Sequence, residues 1–125
     1  RRPDAPVRTG WSVPQQLDRR DFDRPDAPWL VAVFTSARCE TCSSVVEVAG
    51  PLESEAVAFH EVEAGARKDL HDRYAVEAVP MVLLVDAVGV VRSHHLGPVS
   101  ATHLWGSLAE LRQPGCTPDG CSAGD

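Results

Sequence analysis

The chain carries its sharpest chemistry in Cys39-Glu40-Thr41-Cys42. Two cysteines three apart can close a small disulfide ring. At the start of a helix, unpaired amides and a partial positive charge favour a thiolate. A thiolate is the nucleophile of disulfide exchange, so Cys39 is the candidate attacking residue. Cys42, one turn further in, is the candidate that resolves a mixed disulfide by attacking the Cys39 sulfur. Two other readings of the pair stay open. It could be half of a zinc site completed by Cys116 and Cys121, or a structural disulfide without exchange chemistry.

Pro80 is the second signal, in Glu77-Ala78-Val79-Pro80-Met81 at the entry to an apolar run. Proline there donates no ladder hydrogen bond. A cis Val79–Pro80 bond would leave the Val79 backbone free to pair with an incoming peptide. The residues alone favour an ordinary trans proline at a strand entry. Cys116 and Cys121 flank Thr117-Pro118-Asp119-Gly120, and Pro-Asp-Gly favours a turn that brings them together. They read as a tail disulfide or two free thiols, with a second redox pair exchanging with Cys39 and Cys42 as the sharper alternative. His94 and His95 are adjacent, so on a strand they point to opposite faces and cannot share a metal. His60, His71 and His103 have no ligand spacing with the cysteines. All five histidines read as surface or satisfied residues, and no metal site is expected.

The elements that would position these groups follow from apolar periodicity. Residues 29–34 (WLVAVF) form a strand buried on both faces. A helix starts near Cys39 and runs to about Gly50, with Val45, Val46, Ala49 and Leu52 recurring at helical spacing. A strand over 57–62, a short helix over 66–74, a buried strand over 81–85, a turn at Ala87-Val88-Gly89 and a paired strand over 90–96 follow. Ser100 caps a last helix whose face holds Leu104, Leu108 and Leu111. Residues 15–24 hold a helical turn or two. The early alternation predicts a crossover with parallel strands, and the later hairpin an antiparallel edge. The organisation expected is an extended arm or linker over 1–14, one α/β domain over 15–112 and a cysteine-bearing tail over 113–125.

The chain has 125 residues, room for one domain. Twelve Lys and Arg against eighteen Asp and Glu give a net charge of -6, which argues against nucleic acid as the main partner. There is no apolar run long enough to span a bilayer.

In sum of these features the chain resembles the thioredoxin superfamily over roughly 17–112. The residues that carry the resemblance are WLVAVF followed by Cys39-Glu40-Thr41-Cys42, then Tyr74 through Pro80, then Leu96-Gly97-Pro98 before the Ser100 helix. The resemblance implies a thioredoxin fold, a central mixed β-sheet flanked by helices, and thiol–disulfide exchange that serves cell redox homeostasis. It implies a cis Pro80, and a substrate groove shaped by Arg38, Val79, Pro80 and Gly97. It implies no organic cofactor. The partners would be a protein disulfide or small-thiol substrate and an electron donor or acceptor. The departures are Arg38 where the family usually has Trp, Glu40-Thr41 for Gly-Pro, Val33 for the buried acid, and Glu47 for the helix proline. Glu61, on the neighbouring strand, is the candidate to stand near the site in place of that acid.

Glu40 and Arg38 act in opposite directions on the Cys39 thiolate, and water screens both. A thiolate disfavoured by Glu40 makes the reduced form less stable, so the expected poise is reductant-leaning, nearer about -270 mV than the about -120 mV of the strongest disulfide oxidants. Two rivals come from other classes: a binding or docking module with little turnover, and a Cys-ligated metal protein. A monomer is expected. The start at Arg1 rather than Met suggests that a segment upstream has been removed. Arg1, Arg2 and Arg8 would suit a domain tethered by an upstream membrane helix and facing the cytoplasm. An extracytoplasmic location, which would suit a tail disulfide, is the alternative.

Overall fold

The computed structural model describes residues 13–114 and the backbone of 116–117 and 120–121. The arm expected over 1–14 thus lies outside the described residues except for Val13 and Pro14. So does much of the tail. The elements are β1 (Trp29–Thr35), α1 (Cys42–Ala49), β2 (Val57–Glu63), α2 (Lys68–Arg73), β3 (Met81–Val85), β4 (Val91–Leu96), α3 (Ala101–Arg112), and the two-residue strands β5 (Cys116–Thr117) and β6 (Gly120–Cys121). Single 3₁₀ turns lie at Arg19–Asp21 and Gly50–Leu52.

Four strands form one mixed sheet in the order β2-β1-β3-β4. The two apolar runs, β1 and β3, take the two central places, and all but Trp29 of their residues are buried. β2 is parallel to β1, as the alternation predicts. β3 is antiparallel to β1 and lies on its other side, and β4 pairs antiparallel with β3. Strand alternation does not set whether the second connection runs back along the sheet; here β3 begins at the edge where β1 ends, with Met81 opposite Phe34, so only the first pair is parallel.

The pleat divides the core into two layers. Leu30, Ala32 and Phe34 of β1 and Met81 and Leu83 of β3 face Leu70 of α2 and Leu17 and Phe22 of the N-terminal segment. Val31, Val33, Val82 and Leu84 face Val45 and Ala49 of α1 and Leu104 and Leu108 of α3. Ser100 caps α3 by accepting the His103 amide at 3.1 Å, as its position predicts. The segment before the first turn adds a bridge between Gln16 and Val90 at the β3–β4 hairpin. Gly89 there has a φ of +92°, and its carbonyl accepts the Leu17 amide at 2.8 Å. A Cβ at Gly89 would collide with the Leu17 carbonyl, so the hairpin needs glycine on two counts.

The register decides where the chemistry gathers. Thr35 ends β1 opposite Glu63, the end of β2. Phe34 pairs with Met81, and Met81 with Leu96, so β3 begins and β4 ends at the same edge of the sheet. Loops 36–41, 64–67, 74–80 and 97–100 therefore share one end of the molecule.

Candidate active site

Cys39 and Cys42 are joined by a disulfide with a Cα–Cα separation of 5.4 Å. Cys39 is half-buried, and Cys42 is buried. The helix begins at Cys42, three residues later than expected. Cys39 instead occupies a turn closed by its own amide on the Ser36 carbonyl at 3.1 Å. The apolar positions that define the helix start only at Cys42, so periodicity could not separate turn from helix over 39–41. Thr41 is the N-cap residue, yet its hydroxyl caps no amide. It stands 3.7 Å from the Cys39 sulfur, to which it is the only one of the two that can donate while the disulfide is closed.

The loop that carries Cys39 is tied to β2. Ala64 donates its amide to the Thr35 carbonyl at 2.9 Å, and the buried Thr35 hydroxyl donates to Glu61 at 2.8 Å. Glu63 accepts three amides: Gly65 and Ala66 at 3.0 Å each, and Ala37 at 3.2 Å. The Gly65 and Ala66 amides, with lesser help from Ala37 and His71, hold the Glu63 carboxyl below the usual carboxylate range. Glu61 is exposed, so it occupies the register position opposite Val33 without being a buried acid. Sequence reasoning missed Glu63 and the Thr41 hydroxyl. The signal for Glu63 was faint: an acid ending a strand, followed by small residues whose amides need acceptors.

The Val79–Pro80 peptide is cis, as the resemblance implied and against the simpler reading of the residues alone. Pro80 is buried and accepts the Gly97 amide at 2.9 Å, which brings those two loops together. No hydrogen bond among the described residues engages the Val79 amide or carbonyl. Gly97 has a φ of +84°, and the space where its Cβ would stand is open. Arg38 is exposed on the loop before Cys39. Cys116 and Cys121 are register partners across the β5–β6 ladder. That ladder follows the C-terminus of α3, whose N-terminus begins at the Cys39 end of the sheet.

The histidines divide. His60 accepts the Asp23 amide at 3.0 Å, and buried His71 bonds the Val62 carbonyl at 2.9 Å. His94 is exposed while His95 is half-buried on the opposite face, as alternation requires. His95 departs from the expectation of a surface or satisfied residue. Its Nε2 is buried with no hydrogen-bond partner among the described residues, and its ring meets that of His103 edge-on at 5.2 Å. The α3 contact that seats it is tertiary and invisible to spacing. Burial, then the charges of His103 and His94, lowers its pKa. Among the described residues no three His, Cys, Asp or Glu converge as a metal site.

No protein-family model and no curated protein matches the sequence. Solved structures do. A thioredoxin mutant from Halobacterium salinarum NRC-1 matches with a TM-score of 0.62 and 21% identity, covering 82% of this chain and 95% of its own. Thioredoxin O2 from Arabidopsis thaliana, in its oxidized state, matches with a TM-score of 0.59 and 21% identity, covering 75% and 89%. Thioredoxin-2 of the malaria parasite, described as a component of its protein secretion machinery, matches with 0.55 and 14%, covering 69% and 82%. At these identities the likeness is one of architecture. The chain has the thioredoxin fold, a mixed four-stranded sheet flanked by helices, with a disulfide in Cys-x-x-Cys spacing at the end of its central strand.

Proposed function

We propose that the chain is a thiol–disulfide oxidoreductase acting through Cys39 and Cys42. The observation that carries this reading is a closed disulfide between a half-buried and a buried cysteine at the start of a helix. From the dithiol form, the Cys39 thiolate attacks a substrate disulfide. A mixed disulfide forms and one substrate thiolate leaves. The Cys42 thiolate then attacks the Cys39 sulfur, the mixed disulfide breaks, and the second substrate thiolate leaves. Two electrons pass to the substrate, whose thiolates take protons from water. An external dithiol donor restores Cys39 and Cys42, and no organic cofactor takes part.

Protein disulfides are the substrate class this reading favours. The unengaged Val79 backbone can pair with an extended peptide, with Pro80 and the open face of Gly97 as the floor and Arg38 at the rim. Arg38 and Glu40 are both exposed, which supports a small net effect on poise and a reductant-leaning couple. Equilibration with glutathione tests the poise, and a potential above about -180 mV rejects it.

Cys42→Ser should trap substrates on Cys39 as mixed disulfides that dithiothreitol releases. The wild-type chain should speed insulin reduction by dithiothreitol, and Cys39→Ser should not. A wild type that neither speeds insulin reduction nor, as Cys42→Ser, holds any adduct would leave a docking module as the better reading.

A further inference from the structure

Exchange chemistry asks a loop to hold a sulfur still twice, once while it attacks a substrate disulfide and once while its neighbour attacks it. Loop 36–41 has no regular structure of its own, and the Arg38 and Cys39 amides donate only locally, to the Ser36 hydroxyl oxygen and carbonyl. What ties the loop to the sheet comes from β2. Glu63 is the last residue of that strand and takes the Ala37 amide on one side. On the other side it takes the Gly65 and Ala66 amides, which begin the connection to α2. One carboxylate thus spans two loops, two residues upstream of the attacking sulfur.

We propose that Glu63 is a positioning residue for the Cys39–Cys42 pair, fixing the loop that presents Cys39 by bridging the Ala37 amide to the Gly65 and Ala66 amides. This rests on the exchange reading above. Glu63 touches no reacting atom; it acts through the Ala37 backbone. Without it the loop gains freedom, the two sulfurs meet less often, and the closed disulfide is less favoured relative to the dithiol.

The test is the equilibrium of the pair with reduced and oxidised glutathione, read by alkylation and mass, together with a melting curve of each oxidised protein. Opening the Cys39–Cys42 bond takes two electrons from two glutathione thiols, which become one disulfide. Glu63→Ala should move that equilibrium toward the dithiol by about fivefold, as expected for a loosened closure. Glu63→Gln, which keeps one acceptor oxygen, should move it less. Glu55→Ala, which removes an exposed carboxylate before the other end of β2, should leave it unchanged. A lowered melting temperature with the equilibrium within twofold of wild type in both Glu63 variants would make Glu63 merely structural and overturn the proposal. If Glu63→Ala does not fold, Glu63→Gln decides by the same criterion. The measurement needs only the disulfide, so it stands apart from the insulin and trapping results that judge the exchange function.

Discussion

Thr41 stands where a helix usually finds its side-chain cap, and it does not cap. Its hydroxyl is left 3.7 Å from the Cys39 sulfur, and after reduction it can still donate to the thiolate. A hydrogen bond to a charged acceptor is ordinarily worth about 1.5–3 kcal/mol, and this one is long. Thr41→Val, equal in shape and without the donor, should slow alkylation of Cys39 at pH 7 about threefold, the equivalent of roughly 0.7 kcal/mol. Equal rates in the two proteins would show that the hydroxyl does not serve the sulfur. The position also shows the limit of residue-level reading. Spacing singles out Cys39 and Cys42 as the candidate pair, whereas it does not aim the Thr41 hydroxyl at the Cys39 sulfur or the Glu63 carboxylate at the Ala37 amide.

At the level of elements, β4 and α3 meet through His95 and His103 rather than through a purely apolar seam. Burial lowers the His95 pKa, so the unfolded chain binds its proton more readily than the folded one. The stability that neutral His95 secures is full above about pH 6.5, the ordinary histidine value, and is lost as pH falls through the lower folded value. His95→Phe keeps a ring and removes the titration. Its melting temperature should therefore fall less between pH 7 and pH 5 than that of wild type. Parallel falls would mean that other groups set the acid limit. Two of these act at lower pH and with the same sign. Asp18 is lowered to about 2, chiefly by its hydrogen bonds from Arg20, and Glu63 is lowered by backbone amides. Elements were legible where their pattern was unmixed. β3 has the bounds expected of it, and α3 starts after its expected cap. The helix at Cys42 and the short α2 begin later than expected, because spacing does not separate the turn at 39–41 from the helix that follows it and Ala66 continues the apolar rhythm of α2.

For the molecule as a whole, Arg19 links its own turn to the nearby segment 24–27 and to Asp86, 67 residues further along the chain. It is 6% exposed, and its guanidinium donates to the carbonyls of Ala27 at 2.9 Å, Asp86 at 3.1 Å and Arg24 at 3.0 Å. It thereby joins the first turn to the entry of β1 and to the β3–β4 hairpin. Arg19→Leu leaves those carbonyls without their donor, and it should cost about 3 kcal/mol in urea unfolding. A cost below about 1 kcal/mol would mean that water replaces the guanidinium without loss. In the sequence Arg19 belonged to an Arg-Arg-Asp cluster that reads as a solvated face, since nothing local marks one of two arginines for burial. The Cys-x-x-Cys pair, the apolar central strands, the α3 cap and the glycine turn were all fixed locally, because each depends on residue type at short spacing. The direction of β3, the gathering of four loops at one end of the sheet, the burial of Arg19 and His95 and the reach of Glu63 were decided by tertiary structure. Each of these depends on which distant backbone groups the folded sheet leaves in need of a partner.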